Sequence, residues 1–430
     1  MARLAASQAT RRRPRSPCLS AILFVPPPYR PIAFMPSVHP NVLAWARETA
    51  GFSVEAAAKK LGFRGDRGIA RLRVIEDGHL EPTRSQLLRM AKAYRRSLLT
   101  LYLAEPPRKG DRGHDFRTLP QQHTTAEPLV DALVRDVRVR QSVMRSALED
   151  DEDSETLPFI GSMKMANGVA AVAASISRTL RFDLAAFREQ GSVDEAFAYI
   201  RGNAEAIGVF VLLMGNLGNH HTDVEVAAFR GLALADSLAP FIAINDHDAH
   251  SAWSFTLIHE LAHLWLGETG ISGPYGESQL ERFCNDVASS MLLPGDELRA
   301  LAAIGVDTTD GKAGALIGAF AGERFVSRSM VAYRLFRSGQ ISEAVWSRLT
   351  TAFRQEWLAM RQTLREQAKA QKKTGPSYYI VRRHRLGQGL LRMVEQRIQE
   401  GVLTPTKAGL VLGVKPRNVA PLLSGLRKAS

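Results

Sequence analysis

Apolar positions along this chain change their period several times, and each change marks an element. From Asn41 they recur at helical spacing: Val42, Trp45 and Ala46 form one stripe, which Gly51 ends. Ser53 caps a second run with Ala56, Ala57 and Leu61 facing inward, closed by Gly62. Ile69, Leu72 and Ile75 mark a third helix that stops near Gly78, and Pro82-Thr83 opens a fourth through Leu87, Leu88, Ala91 and Tyr94. Four short helices with tight glycine turns in a basic segment predict a helix-turn-helix bundle over residues 39–104. Residues 105–128 are polar and proline-rich, a linker, and Leu129–Leu148 follows as a charged amphipathic helix ahead of an acidic loop, Glu149–Glu155.

Past Phe197 the period turns strand-like. Gly208–Met214, Glu225–Leu234 and Phe241–Asn245 are short apolar runs between turn residues. Helices Ser251–Leu266 and Ser278–Leu293 follow, separated by a Gly/Ser/Pro loop. Strands leading into helices predict an α+β domain over 129–300. A helical extension covers 301–360. In the last segment Thr404 caps, Pro405 opens, Gly413 turns and Pro416 starts again, giving a second helix-turn-helix-like hairpin or a unit packed on the α+β domain. The expected fold is therefore multidomain and mainly α, with one α+β domain, an all-α bundle before it and a basic helical region, 361–430, behind it.

The net charge of +13 is unevenly spread. Residues 1–34 carry six arginines and no acid, residues 35–104 twelve basic and six acidic side chains, and residues 361–430 fifteen and three, which leaves 105–360 at −11. Basic ends around an acidic middle suggest a polyanion partner, usually nucleic acid and here duplex DNA, the alternative being that they are only solvated helix faces. Residues 1–36 are proline-rich, lack a helical period and read as a disordered leader, or an extension upstream of a functional start at Met35. No apolar run approaches the ~20 residues a membrane span needs. Two cysteines, Cys18 and Cys284, make no disulfide framework, and a reducing cytoplasm fits best.

One segment carries chemistry. In FTLIHELAHLWL (255–266) only Thr256, His259, Glu260 and His263 are polar, so the helix is apolar nearly all round and expected to be buried. Two imidazoles and a carboxylate cost several kcal/mol there unless something satisfies them. His259 and His263 stand one turn apart and can bind one ion, while Glu260, rotated to the side, can reach a water on that ion. A catalytic zinc takes a third protein ligand. Glu281 borders the apolar stripe of the next helix, but Ser278-x-x-Glu281 equally fits a capping box, with Glu268 and Glu277 as further candidates. The pairs His220-His221 and His247/His250 read as loop or helix-start residues, and Cys284 as core packing.

These residues resemble the ImmA/IrrE-type metallo-endopeptidases fused to an Xre-like helix-turn-helix. The resemblance runs through DFRTLP (115–120), FRGLALAD (229–236), PFIAIN (240–245), FTLIHELAHLWLGETGIS (255–272), LERFCNDVASSMLLP (280–294), FVSRSMVAYRLFRSGQIS (325–342) and the YYIVRRHRLGQGLLRMV segment. It implies a zincin-like domain, a zinc ion held by His259, His263 and Glu281, and Glu260 as catalytic base, with Asn285 behind the ligands. It also implies a protein substrate, a repressor or antitoxin-like regulator, and a cytoplasmic setting without membrane contact. For such a substrate, the strand around Phe229–Leu234 is a candidate edge for pairing with an extended segment. Two features depart from the family: the second helix begins Ser53-Val54-Glu55 rather than with glutamine, and the third offers Arg67, Arg71 and Arg73 but no Asn or Gln for adenine edges. Phosphate contact through those three arginines, rather than base-specific reading, is therefore expected, the alternative being a bundle that docks a protein regulator. The alternative to an enzyme is a non-catalytic zinc-binding transcriptional regulator or toxin–antitoxin component.

Overall fold

The computed structural model describes residues 37–107, 127–150, 154–218, 222–272, 278–304, 308–370 and 377–424. The leader, most of the linker with its DFRTLP segment, part of the acidic loop, His220, His221 and Glu277 lie outside the described residues.

The N-terminal bundle comprises α1 (Pro40–Glu48), α2 (Val54–Leu61), α3 (Gly65–Glu76), α4 (Arg84–Tyr94) and a 3-10 turn at Leu99–Tyr102. It encloses its own core, in which Leu43, Leu61, Leu72, Ile75, Met90, Tyr94 and Leu101 are buried. Ser53 caps α2 by accepting from Ala56 N–H, and Thr83 opens α4 with a full capping box to Gln86. Arg47 Nε reaches both oxygens of Glu76 at 2.9 Å, tying α1 to α3.

The remaining chain runs α5 (Glu127–Glu149), α6 (Val169–Leu180), α7 (Leu184–Arg188), α8 (Val193–Ala206), β1 (Phe210–Leu213), β2 (Gly231–Leu234), β3 (Phe241–Ile244), α9 (His250–Leu266), β4 (Gly270–Ser272) and α10 (Gln279–Leu292). Then come α11 (Asp310–Glu323), α12 (Arg328–Arg337), α13 (Glu343–Ala370), α14 (Tyr378–Leu386), α15 (Gln388–Gln399), α16 (Pro405–Leu412) and α17 (Val419–Leu423). The four strands form one sheet in the order β1-β3-β2-β4; β1 and β3 are parallel and the other pairings antiparallel.

The sheet is covered on both faces, which is why its strands read as unbroken apolar runs. Val211, Leu213, Ala233, Ile242 and Ile244 face a core shared with α6, α8, α9, α10, α11 and α12. Phe210, Leu212, Leu232, Leu234, Phe241 and Ala243 face the opposite way, into a core built from α5 and α14 to α17. The C-terminal helices are thus one layer of the sheet domain, although their charge sets them apart in the sequence. The staple is Arg201 on α8: its guanidinium donates to the carbonyls of Val211 on β1 and His384 on α14 and pairs with Glu205 at 2.9 Å, while Glu205 accepts from Gly389 N–H at 2.8 Å.

Two strand expectations change. The run Glu225–Leu234 is a strand only from Gly231, because Asn245 Nδ2 donates to the carbonyls of Val224 (3.1 Å) and Phe229 (2.8 Å) and holds the first half as a turn. With β3 on one side and β4 on the other, β2 has no free edge, so an extended substrate cannot pair with the Phe229–Leu234 run. The loop after α9 contributes the fourth strand.

Candidate metal centre

Helix α9 is buried from Thr256 to Trp265, with Trp265 fully enclosed and stacked on Phe159 at 4.5 Å between ring centroids. The three ionisable residues of that buried stretch are as enclosed as the leucines beside them: His259 is 3 %, Glu260 0 % and His263 1 % exposed. The two imidazoles turn their Nε2 atoms toward one point, 3.2 Å apart.

Helix α10 supplies the third group. Ser278 is its N-cap and accepts from Glu281 N–H at 3.1 Å, so the first half of the expected capping box exists. The Glu281 carboxylate goes elsewhere: Oε2 lies 3.2 Å from His259 Nε2 and Oε1 3.3 Å from His263 Nε2. Burial alone would raise this carboxyl, but hydrogen bonding and charge attraction from the two histidines outweigh it and hold the group well below the usual carboxylate range. Of the other ligand candidates, Glu268 is exposed.

These separations can be tested against a metal. Zinc binds imidazole nitrogen and carboxylate oxygen at about 2.0–2.2 Å in a tetrahedron, which spaces its ligand atoms about 3.3–3.5 Å from one another. The separation of the two Nε2 atoms is close to that figure, as is each histidine's contact with Glu281, one to Oε2 and the other to Oε1. His259, His263 and Glu281 also form the one group among the described residues whose ligand atoms converge tightly enough to hold an ion. The donor set of two imidazoles and one carboxylate suits zinc and leaves a fourth tetrahedral position for water or substrate.

Glu260 is placed by the side chain that Gly231 lacks. A Cβ at Gly231 would stand 2.1 Å from Glu260 Oε1, 2.7 Å from Cδ and 2.9 Å from Cγ, so the carboxylate rests directly on the bare backbone of β2. Within FRGLALAD nothing singles this glycine out, because a missing side chain leaves no chemical signal. The register explains it, since Gly231 lies opposite Ile244 on the face that meets α9.

A lock outside the centre fixes α10. Asp286 accepts from Tyr333 OH at 2.8 Å and from Arg337 Nε at 2.9 Å, joining α10 to α12 and setting the rotation that aims Glu281. Asn285, its neighbour, is half-buried, and its side chain makes no hydrogen bond among the described residues. Cys284 is buried among apolar side chains, and burial pushes its thiol up, consistent with packing. His250 bonds Asp194 at 2.6 Å and stacks on Trp253, and His247 lies nearest to Asp223 and Asp246; neither reaches the centre. Arg67, Arg71 and Arg73 are exposed on α3 of the separate bundle, where Arg73 pairs with Glu55 at 3.0 Å. Among the described residues no helix is long and apolar enough to cross a membrane.

Comparison with curated proteins and with solved structures returned no match. Residues 212–336, from β1 through α12 and so including every member of the metal centre, match the family model Peptidase_M78, the IrrE N-terminal-like domain.

Proposed function

We propose that the chain is a zinc-dependent endopeptidase that carries its own DNA-binding-type bundle and cleaves a repressor or antitoxin-like regulator in the cytoplasm. The observation that carries the proposal is the convergence of His259, His263 and Glu281 at tetrahedral spacing, with the Glu260 carboxylate on the adjacent helix position. A zinc ion held by those three residues supplies a Lewis acid that polarises a peptide carbonyl and acidifies water. Glu260 manages the protons: as a carboxylate it accepts one from the attacking water, and as the acid it returns one to the leaving amine. Its enclosure between α9 and β2 keeps bulk water away and fixes its aim.

An extended substrate segment has β4 to pair with, since this strand follows α9 directly and, among the described residues, has a strand on one side only. The β1 edge is closed, because Arg201 takes the Val211 carbonyl. The bundle supports the choice of substrate: Arg67 and Arg71 are exposed and make no ion pair among the described residues, so phosphate contacts through them and Arg73 would bring the peptidase to DNA-bound proteins.

The test uses Glu260→Gln as an inert trap. A partner recovered with it and identified by mass spectrometry should be cut by the wild-type protein, with cleavage stopped by a chelator and restored by zinc. A partner that is captured but left intact by the zinc-loaded wild type would make the chain a non-catalytic regulator.

A further inference from the structure

The two ends of the described chain contain the same hairpin. Helix α2 is eight residues long, capped by the hydroxyl of Ser53 and ended by Gly62 at φ +82°; α16 is eight residues long, capped by the hydroxyl of Thr404 and ended by Gly413 at φ +60°. The closing hydrogen bonds repeat: Gly62 N–H to Lys59 O at 3.2 Å and Phe63 N–H to Ala58 O at 2.9 Å, against Gly413 N–H to Leu410 O at 3.2 Å and Val414 N–H to Gly409 O at 2.9 Å. Small buried residues sit where the first helix meets the turn, Ala57-Ala58 in one and Ala408-Gly409 in the other. At Gly409 the fit is close enough that a Cβ would stand 2.8 Å from Val414 O. The second element begins three residues after the glycine in both, at Gly65 and at Pro416, and each is preceded by an exposed cation, Arg64 or Lys415.

Packing accounts for one face of the C-terminal hairpin. Ala408, Val411, Leu412, Val419, Leu422 and Leu423 are buried in the core beneath the sheet. It does not account for the other face. Lys407, Lys415 and Arg417 are exposed there and make no ion pair among the described residues, and residues 401–430 contain no Asp or Glu at all. Under the turn, Arg140 donates to Val411 O at 3.1 Å and Arg382 to the carbonyls of Leu412 (2.7 Å) and Gly413 (2.9 Å). Arg140 also pairs with Asp136 at 2.6 Å, while burial first and the neighbouring Arg140 second push Arg382 down to about 10.

We propose that the α16–α17 hairpin is a second duplex-DNA contact, held rigidly on the sheet domain and engaging phosphates through Lys407, Lys415 and Arg417. The capped first helix and its glycine turn repeat those of α2, and in a helix-turn-helix the second element lies against the groove while flanking cations meet the backbone; here that element is a 3-10 turn at Pro416–Asn418 and the five residues of α17. The second element is short, and with Arg417 on a phosphate the contact serves to position the domain on the duplex. A peptidase domain touching DNA directly would have its orientation on the duplex fixed, independently of the N-terminal bundle.

The experiment uses the full chain and a short duplex of arbitrary sequence, with affinity followed by fluorescence anisotropy over a salt series. Three proteins are compared: wild type, Lys407→Gln/Lys415→Gln/Arg417→Gln, and Arg67→Gln/Arg71→Gln/Arg73→Gln. Each cation–phosphate pair that a variant removes flattens the plot of log K against log salt by about 0.9. In the C-terminal variant that slope should be shallower by roughly 2–3, while its zinc content and thermal midpoint stay at wild-type values. The N-terminal variant should keep measurable, salt-sensitive binding through the C-terminal hairpin. An unchanged slope and affinity in the C-terminal variant, or no duplex binding by the wild type at low salt, would overturn the proposal. So would a C-terminal variant that binds DNA normally yet no longer binds an acidic protein partner.

Discussion

Adding one methyl group at Gly231 should perturb the proposed base, Glu260, and leave the proposed metal ligands alone. The Cβ of Gly231→Ala would stand 2.7 Å from Glu260 Cδ and 2.1 Å from Oε1. Carbon atoms not bonded to each other settle at about 3.5–4.0 Å, so the carboxylate must retreat by about 1 Å. Glu260 is wholly buried under α9, and the retreat has to be absorbed by the surrounding core, at about 1–3 kcal/mol of stability. A misplacement of about 1 Å in a catalytic group lowers the rate on the order of a hundredfold. The expected result is a loss of about that size in kcat/KM on a quenched-fluorescent peptide pool. Zinc content should be unchanged, because the three atoms nearest the added Cβ all belong to Glu260, while His259, His263 and Glu281 contact one another. Full activity in Gly231→Ala would refute the idea that the carboxylate works from its seat on β2. Parallel loss of zinc and activity would show that the glycine acts through the metal instead.

Ser278→Ala removes the cap of α10 and should cost about 1 kcal/mol in urea unfolding with zinc retained, whereas Glu281→Gln should keep the fold and lose zinc affinity in a competition titration with a chromogenic chelator. Full zinc affinity in Glu281→Gln would return that residue to a capping role. Arg201→Ala strands a buried Glu205 and frees the carbonyls of Val211 and His384, so unfolding should lose about 3–5 kcal/mol, and a loss below about 1 kcal/mol would mean the C-terminal layer is held by its apolar face alone. Gly413→Ala forces a Cβ into the left-handed region beside Arg140 and Arg382, and should lower stability by about 1–2 kcal/mol without altering zinc content.

Helices are legible in this sequence wherever a cap residue stands at the right distance from an apolar stripe. Ser53, Thr83, Ser278 and Thr404 all accept the hydrogen bonds their positions imply. His259, Glu260 and His263 are legible for a different reason: three ionisable groups inside an otherwise apolar helix demand a partner. Glu281 is ambiguous because Ser278-x-x-Glu281 encodes a cap and a ligand in the same four residues, and only the direction of the carboxylate separates them. Strand β4 is hidden because Gly270-Ile271-Ser272 has turn composition and is a strand only through its pairing with β2. The C-terminal layer looks like a separate region because charge describes its outer face, while Leu390, Leu391, Val411 and Leu412 decide where it packs. Gly231 cannot be found from composition or spacing, since its contribution is the space above its Cα.

The proposed function divides the labour along one turn of α9, with His263 assigned to the metal and Glu260 to the protons. Zinc measured by mass spectrometry, alongside turnover of the trapped partner, separates the two roles in Glu260→Gln and His263→Ala. About one zinc per chain is expected in the wild type and in Glu260→Gln, little in His263→Ala, and turnover in the wild type alone. Turnover at the wild-type rate by Glu260→Gln, or zinc released from it as readily as from His263→Ala, would contradict that division.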